Sequence, residues 1–264
     1  MFKNQIVAVT GASGGIGRAL AEMFVAEGAI VAISDLEKPD QTASEIGASA
    51  YQCDVSDEAS VKHFIAGVKQ DHGLIDTYLS NAGVGSGNGE FVAGGSNEGW
   101  EQAWQVNVMG SVYAARALMP DWIERGSGRF VITASAAGLL NQIGSASYSC
   151  TKHAAVSLAE SIAIEHGDQG VKSHCICPQY VRSNMTKGIK MAEGSRDGLL
   201  EPSDVANALK AAIVADEFLV YPHPVVKDYF INRAMHPDAY LSGMRRLKTK
   251  VCLLYTSPSP RDRG

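Results

Sequence analysis

The stretch QIVAVTGASGGIG, residues 5–17, decides the fold of this chain. Its first part, residues 5–9, is a nearly continuous apolar run, which is typical of a strand buried on both faces. The glycine-rich turn at 10–17 follows, and the apolar spacing of residues 16–27 predicts a helix. A strand, a tight turn and a helix in this order indicate the beginning of a parallel α/β sheet.

Strand and helix patterns alternate along the rest of the chain. Further strands are predicted at residues 29–34, 48–53, 75–80, 128–134, 171–177 and 217–221. Further helices are predicted at 56–71, 96–124, 148–167 and 202–215. Apolar strands that alternate with amphipathic helices predict a doubly wound α/β fold, in which helices cover both faces of a parallel sheet. We expect one domain over residues 1–250.

The carboxyl-terminal segment, residues 251–264, has a different composition. The sequence SPSPRDRG at 257–264 is polar, rich in proline and aperiodic, which predicts disorder. The longer stretch CLLYTSPSPRD at 252–262 resembles a translated adapter tail, so this segment is interpreted as disordered or not native. A genuine flexible tail is the alternative.

Composition restricts the classes of function. The chain has 264 residues, is 45% hydrophobic and carries a formal net charge of −5, which argues against a broad nucleic-acid surface. Its five cysteines have no zinc-binding spacing, so no metal site is predicted, and free thiols fit the reducing cytoplasm. The apolar run near the amino terminus is too short for a signal peptide or a membrane helix, and no membrane partner is expected.

The glycine-rich turn predicts a site for a dinucleotide. Glycines let the backbone approach a pyrophosphate closely, and the exposed amides at the start of a helix favour an anion. The cofactor-binding residues predicted in this turn are Gly11, Ser13, Gly14, Gly15, Ile16 and Gly17. The spacing is Gly-x-x-x-Gly-x-Gly rather than the Gly-x-Gly-x-x-Gly of other dinucleotide folds.

Asp35 ends the second predicted strand, eighteen residues after Gly17. A carboxylate at this point can accept hydrogen bonds from both ribose hydroxyls of NAD and repels the 2′-phosphate of NADP. Residue 36 is leucine, and no arginine or lysine precedes Gly15 within the turn. The sequence therefore predicts NAD, with NADP the less favoured cofactor.

The ends of the third and fourth strands add to the predicted cofactor site. Asp54 and Val55 follow the third strand, where Asp54 could reach an adenine amino group. Asp54 could instead cap the helix that begins near Ser56. The small residues of Asn81-Ala82-Gly83 end the fourth strand and would let the chain pass close to the ribose and adenine.

Tyr148 and Lys152 form a Tyr-x-x-x-Lys pair in a segment that reads as helix. Four residues make about one helical turn, so both side chains lie on the same face. The phenol has an ordinary pKa of about 10, and a neighbouring ammonium group would lower it. The pair is therefore a candidate general acid/base, and Ser135 lies thirteen residues before Tyr148.

Together these residues resemble the short-chain dehydrogenase/reductase family, from about residue 3 to residue 221. The motifs that carry the resemblance are the turn at 10–17, Asp54, Asn81-Ala82-Gly83, Asn107, Ser135, Tyr148 and Lys152, in the family's order. The resemblance implies a Rossmann sheet and an NAD-linked oxidoreductase that interconverts a secondary alcohol and a ketone.

The resemblance also implies roles for four catalytic residues. Tyr148 would transfer the proton, and Ser135 would hydrogen-bond the substrate oxygen. Lys152 would bind the nicotinamide ribose and tune Tyr148. Asn107 would help to hold a water molecule leading from Lys152 to solvent; otherwise it is a plain helix-face amide.

The loop after the sixth strand departs from the family pattern. The family usually has Pro-Gly there, whereas this chain has Pro178 followed by Gln179, so the backbone of the loop is expected to differ. Pro178, Val181 and Ser183 are assigned to the cofactor site, Val181 near the carboxamide and Ser183 at a position where threonine is common.

Residues 184–200 are predicted to form a substrate lid. Their apolar side chains, with a wall from Leu139, Leu140, Ile143 and Tyr180, indicate a hydrophobic secondary alcohol or ketone. The resemblance implies a homodimer or homotetramer. Two alternatives remain open, namely an NADP-linked ketoreductase of the 3-oxoacyl type and a non-catalytic dinucleotide-binding scaffold.

Overall fold

A computed structural model describes residues 1–85, 91–92, 94–187 and 197–256, with side chains described as far as residue 250. Seven strands form one sheet: β1 (Ile6–Thr10), β2 (Ile30–Asp35), β3 (Ser49–Gln52), β4 (Thr77–Ser80), β5 (Gly128–Thr133), β6 (Val171–Ile176) and β7 (Leu219–Val220). The strand order is β3-β2-β1-β4-β5-β6-β7, and every neighbouring pair is parallel. The predicted doubly wound sheet is therefore confirmed.

The helices of the described part of the chain are α1 (Gly15–Ala26), α2 (Asp40–Ile46), α3 (Glu58–His72), α4 (Asn97–Trp104), α5 (Gly110–Arg125), α6 (Ala146–His166), α7 (Pro202–Ala215), α8 (Val225–Met235) and α9 (Pro237–Thr256). Most predicted boundaries differ from these by one or two residues. The short helix α2 was not predicted, because seven residues with only Thr42 and Ala43 buried give too little periodicity to recognise.

The sheet is buried on both faces because its strands alternate between two apolar layers. Ile6 and Ala8 of β1 contribute to the core beneath α3, α5 and α6, whereas Val7 and Val9 contribute to the core beneath α1 and α7. This alternation explains why the strand reads as a continuous apolar run.

The long helix predicted at 96–124 is interrupted. A π-helical turn, Gln105–Met109, joins α4 to α5. Such turns insert one extra residue into a helix and often occur at functional sites. The turn contains Asn107, whose side chain is only 4% exposed.

Helix α9 continues to Thr256 and so includes the first six residues of the segment 251–264, which was interpreted as disordered or not native. The first residues unable to continue a helix are the prolines at 258 and 260, so nothing in the backbone forces an earlier end. Residues 257–264, where the predicted disorder is centred, lie outside the described residues.

The site lies where the strand order changes direction, between β1 and β4. β1 lies beside both β2 and β4, so the connections leaving β1 and β4 run to opposite sides. In open α/β sheets this point forms a crevice at the carboxyl ends of the strands. The glycine-rich turn after β1 and Asn81 after β4 lie there.

Candidate active site

A cavity of about 590 Å³ opens at the carboxyl ends of the strands. All predicted site residues except Asn107 line it, and they are Gly11, Ser13, Gly14, Gly15, Ile16, Gly17, Asp35, Asp54, Val55, Asn81, Ala82, Gly83, Ser135, Tyr148, Lys152, Pro178, Val181 and Ser183. Eighteen positions spread over more than 170 residues thus meet in one place through the sheet topology.

The glycine-rich turn is packed tightly on its inner side. Gly11 has φ +63°, and a Cβ added there would lie 2.7 Å from Ala82 Cα. A Cβ on Gly17 would lie 2.2 Å from the Gly11 carbonyl oxygen. The Asn81 side chain donates to the carbonyls of Thr10 and Gly11, both at 3.0 Å, so it fastens β4 to the turn.

The outer side of the same turn is open. A Cβ added to Gly14 would meet nothing within 4 Å. Gly14 is the N-cap of α1 and offers no side-chain acceptor to the first amides of the helix. Those amides and the positive end of the helix dipole face open space, which is the arrangement that binds a phosphate group.

Asp35 lies beside this turn at the end of β2. Its carboxylate accepts hydrogen bonds from the amides of Ser13, at 3.0 Å, and Leu36, at 2.9 Å. The carboxylate is therefore oriented by two backbone groups at the wall of the cavity. Arg18, the cation nearest in sequence to the turn, pairs with Glu22 and Glu45.

Asp54 does not cap a helix. Its Oδ1 accepts from the amide of Ser56 at 2.9 Å and from the Ser56 hydroxyl at 2.6 Å. The N-cap of α3 is Asp57, which accepts from the amides of Ala59 and Ser60. The alternative role considered for Asp54 is therefore wrong, because the helix begins two residues later than predicted.

Ser135, Tyr148 and Lys152 meet at the deeper wall of the cavity. The Ser135 hydroxyl accepts from the Ala137 amide at 3.1 Å and lies 3.4 Å from the Pro178 carbonyl. Burial raises the pKa of Tyr148, and a hydrogen bond with Ser135 offsets part of that rise. The Lys152 ammonium lies 5.6 Å from the centre of the Tyr148 ring.

The expected direction of the Tyr148 pKa is corrected by the structure. Lys152 Nζ donates to the Thr133 carbonyl at 2.9 Å rather than to the phenol. Burial lowers the pKa of Lys152 itself to about 8. Desolvation therefore dominates at both residues, and the pKa of the phenol is raised where the sequence predicted that it would be lowered.

The Asn107 side chain is buried behind the residues that line the cavity. Its Nδ2 donates to the Val84 carbonyl at 3.0 Å and to the Thr151 hydroxyl at 3.1 Å, and its Oδ1 accepts from the Val84 amide at 2.9 Å. These bonds fasten the chain after Gly83 to the helix that carries Lys152. A Cβ on Gly83 would lie 3.2 Å from Asn107 Oδ1 and 3.4 Å from Lys152 Nζ.

The loop after β6 carries a residue that sequence reasoning missed. Thr186 lines the cavity, and its hydroxyl lies 2.7 Å from the Val181 carbonyl and 3.0 Å from the Ser183 amide. The Ser-x-x-Thr spacing was the available signal. Gln179 has no positive φ, since the only such non-glycine residues described are Asn4 and Asp216, so the loop accommodates a side chain there.

The predicted substrate wall does not form part of the cavity lining. Leu139, Leu140, Ile143 and Tyr180 are absent from the lining, and Leu139 is buried in the core beside α6. Gln102 and Val106 line the cavity instead. Within the predicted lid, Met185 lines the cavity and is 48% exposed, while residues 188–196 lie outside the described residues.

The described residues contain no cluster of three or more potential metal ligands. None of their helices is both long and apolar enough to cross a membrane.

The chain is similar to known proteins over most of its length. The family model for short chain dehydrogenase matches residues 5–194. Meso-2,3-butanediol dehydrogenase of Serratia marcescens is 35% identical over 232 residues, which are 82% of this chain and 89% of that protein.

Two solved structures are also similar. One is a short chain dehydrogenase/reductase from Burkholderia phymatum in complex with NAD, with a TM-score of 0.78, 26% identity and coverage of 91% of this chain and 96% of that chain. The other is 3-ketoacyl-(acyl-carrier-protein) reductase from Brucella melitensis complexed with NADH, with a TM-score of 0.77, 27% identity and coverage of 84% and 97%.

Proposed function

The chain belongs to the short chain dehydrogenase family, and we propose that it is an NAD-dependent oxidoreductase that interconverts a secondary alcohol and a ketone. The observation that carries the proposal is the meeting of Ser135, Tyr148 and Lys152 on the wall of the cavity that also contains the open glycine-rich turn. The groups proposed to transfer the proton and the helix terminus proposed to bind phosphate thus line the same cavity.

The residues present fit a dinucleotide. The open space at Gly14 and the uncapped amides of α1 suit the pyrophosphate, and Asp35 lies where a ribose would be held. When bound, NAD would supply the hydride acceptor or donor of the reaction. Val181 and Ser183 would hold its nicotinamide end, and Asp54 and Val55 its adenine end.

Tyr148 is the proposed general acid/base. During reduction its phenol would donate a proton to the carbonyl oxygen of the substrate, and during oxidation its phenolate would take the proton of the alcohol. The Ser135 hydroxyl would hydrogen-bond the same substrate oxygen. Lys152 is oriented by the Thr133 carbonyl and remains largely protonated near neutrality, since its pKa is about 8.

The two directions of the reaction are expected to respond oppositely to pH. Because burial raises the pKa of Tyr148, the phenol is protonated near neutrality, which is the state that reduction requires. Oxidation requires the phenolate, whose fraction grows about tenfold per pH unit below the pKa. Initial rates of oxidation should therefore rise with pH, and rates of reduction should fall at the alkaline end. Parallel pH profiles in the two directions would contradict the role of Tyr148.

Asp35 is expected to determine the preference for NAD. Replacing Asp35 with Ala removes the acceptor for the ribose hydroxyls and the repulsion of a 2′-phosphate, so NAD should bind about tenfold more weakly and the preference over NADP should narrow. The measurement is kcat/KM with each cofactor. Asp40→Ala is the matched control, because that exposed carboxylate pairs with Lys38 and does not line the cavity.

A wild-type enzyme that uses NADP better than NAD would overturn this assignment. It would favour the alternative of an NADP-linked ketoreductase of the 3-oxoacyl type. The similarity to a 3-ketoacyl-(acyl-carrier-protein) reductase, whose solved complex contains NADH, is the reason to consider that substrate class.

The substrate class is proposed as a hydrophobic secondary alcohol or ketone. Met185 and Val106 give part of the cavity an apolar lining, which supports this class. NADH formation from NAD across cyclic, aliphatic, aromatic and vicinal-diol alcohols tests the proposal, with a 3-oxoacyl thioester assayed in the reverse direction. Tight NADH binding without turnover of any substrate would instead indicate a dinucleotide-binding scaffold.

The proposal includes a cytoplasmic location and a homodimer or homotetramer. The described cysteines, Cys53, Cys150, Cys175 and Cys177, are all free thiols, which supports a reducing compartment.

A further inference from the structure

His223 is a buried histidine that the proposed reaction does not use. It lies between β7 and α8 and is only 3% exposed. Its Nδ1 lies 3.3 Å from the backbone nitrogen of Gln179, and its Nε2 lies 3.4 Å from the carbonyl oxygen of Gly198. A backbone amide can only donate and a carbonyl can only accept, so this geometry requires the neutral tautomer with its proton on Nε2.

The two partners of His223 belong to two separate segments, of which the one with Gln179 lines the cavity. Gln179 lies in the loop after β6, and Gly198 lies in the chain that returns toward α7. Leu200 joins the same two segments, because its amide donates to the Tyr180 carbonyl at 3.0 Å and its carbonyl accepts from the Arg182 amide at 2.9 Å. His223 thus adds a side-chain link beside an existing backbone link.

The loop that His223 holds is in contact with the reacting groups. The Pro178 carbonyl, one residue before Gln179, accepts from the Ala136 amide at 2.8 Å and lies 3.4 Å from the Ser135 hydroxyl. Farther along the loop, Ser183 lies against the glycine-rich turn, since its Cβ is 3.5 Å from the position of a Cβ on Gly15. A shift of the loop would therefore move Pro178 relative to Ser135 and Ser183 relative to the glycine-rich turn.

We propose that His223 is a positioning residue, whose neutral imidazole fixes the loop at Pro178 to Ser183 in the conformation that binds the nicotinamide cofactor. The link itself follows from the structure alone, whereas its consequence for the cofactor rests on the proposed function. Gln179 takes part through its backbone amide, so the residue that departs from the family's usual glycine still supplies the same type of donor.

The link is expected to depend on pH. Burial lowers the pKa of His223, and the hydrogen bond to the Gly198 carbonyl and the nearby carboxylates of Asp197 and Asp204 partly offset this effect. Protonation would place an N–H group of Nδ1 against the Gln179 amide and break that bond. The link should therefore be intact above the ordinary histidine pKa of about 6.5 and be lost as pH falls through the lower pKa of the folded protein.

The tautomer can be observed without any activity. Long-range proton–nitrogen NMR spectra of the full chain with ¹⁵N-labelled histidine distinguish the two neutral tautomers and the protonated form, and His223→Phe identifies the resonances of His223. The inference expects the Nε2–H tautomer at neutral pH, and protonation only below the ordinary pKa. The Nδ1–H tautomer, or a protonated ring at neutral pH, would overturn it.

The consequence for the cofactor is measured by NADH fluorescence in the full chain. His223→Phe replaces the imidazole with a slightly larger ring and removes both hydrogen bonds, so NADH affinity should fall about tenfold and the melting temperature should also fall. His223→Asn places a carbonyl oxygen near the position of Nδ1, so it should recover most of the affinity and abolish its loss at acid pH. His174→Phe is the control, because His174 is equally buried but bonds to Glu217 away from the cavity.

The possible outcomes separate the two proposals. Unchanged affinity in both His223 variants would overturn the positioning role, as would equal weakening by His174→Phe. If His223→Phe does not fold, the pH dependence of His223→Asn against wild type gives the same test. Failure of the wild-type protein to bind NADH would refute the proposed function, while the NMR spectra would still decide whether the link exists.

Discussion

Replacing Tyr148 with Phe is expected to lower kcat/KM by about a thousandfold, because the change removes the only group assigned to proton transfer. The phenyl ring keeps the packing of the phenol, so NADH affinity and melting temperature should remain close to those of the wild type. Burial and the hydrogen bond with Ser135 keep this hydroxyl oriented within the cavity. The measurement is the initial rate of NADH formation or consumption with the best substrate found.

Tyr113→Phe is the matched control for that experiment. Its hydroxyl also makes one hydrogen bond, at 3.1 Å to Gln105, but its side chain does not line the cavity. This variant should keep a rate close to that of the wild type. Turnover by Tyr148→Phe comparable with that of Tyr113→Phe would show that another group transfers the proton.

The second large effect is expected at the glycine-rich turn, where two glycines should respond differently. A Cβ on Gly17 would lie 2.2 Å from the Gly11 carbonyl and 2.6 Å from Asn81 Nδ2. Gly17→Ala should therefore push the turn away from β4 and lower the free energy of unfolding by about 3 kcal/mol. Thermal or urea denaturation of the ligand-free protein measures this loss.

Gly14→Ala separates cofactor binding from folding. Gly14 has φ −170°, which any residue adopts, and its added Cβ would meet no protein atom within 4 Å. The free energy of unfolding should therefore change by less than about 1 kcal/mol. The Cβ would occupy the space proposed for the pyrophosphate, so NADH affinity should fall about a hundredfold. Unchanged NADH affinity in Gly14→Ala would refute the assignment of the phosphate site.

Local sequence patterns were sufficient for the elements that build the cavity. The strand, turn and helix at the amino terminus are encoded within about twenty residues, and the parallel sheet follows from repetition of this unit. Tyr148 and Lys152 share a helix, so their proximity follows from helical geometry. Such features depend on neighbours in sequence, which explains why they could be predicted.

Features that depend on distant contacts could not be predicted in the same way. Lys152 donates to Thr133, nineteen residues away, and the histidine link joins residues 44 positions apart. Arg233 of α8 donates to the carbonyls of Leu139 and Leu140, so these residues are held toward the core rather than the cavity. The π-helical turn around Asn107 is likewise set by bonds to Val84 and Thr151 rather than by a local motif.

The central claim is that this protein transfers a hydride between a secondary alcohol and NAD with Tyr148 as the acid/base. The most direct test incubates the protein with NAD and secondary alcohols deuterated at the carbinol carbon, and then detects deuterium in NADH by mass spectrometry. The account predicts deuterated NADH from the wild type and almost none from Tyr148→Phe. Wild-type protein that binds NADH yet gives no deuterated product from any alcohol, or equal labelling by Tyr148→Phe, would contradict it.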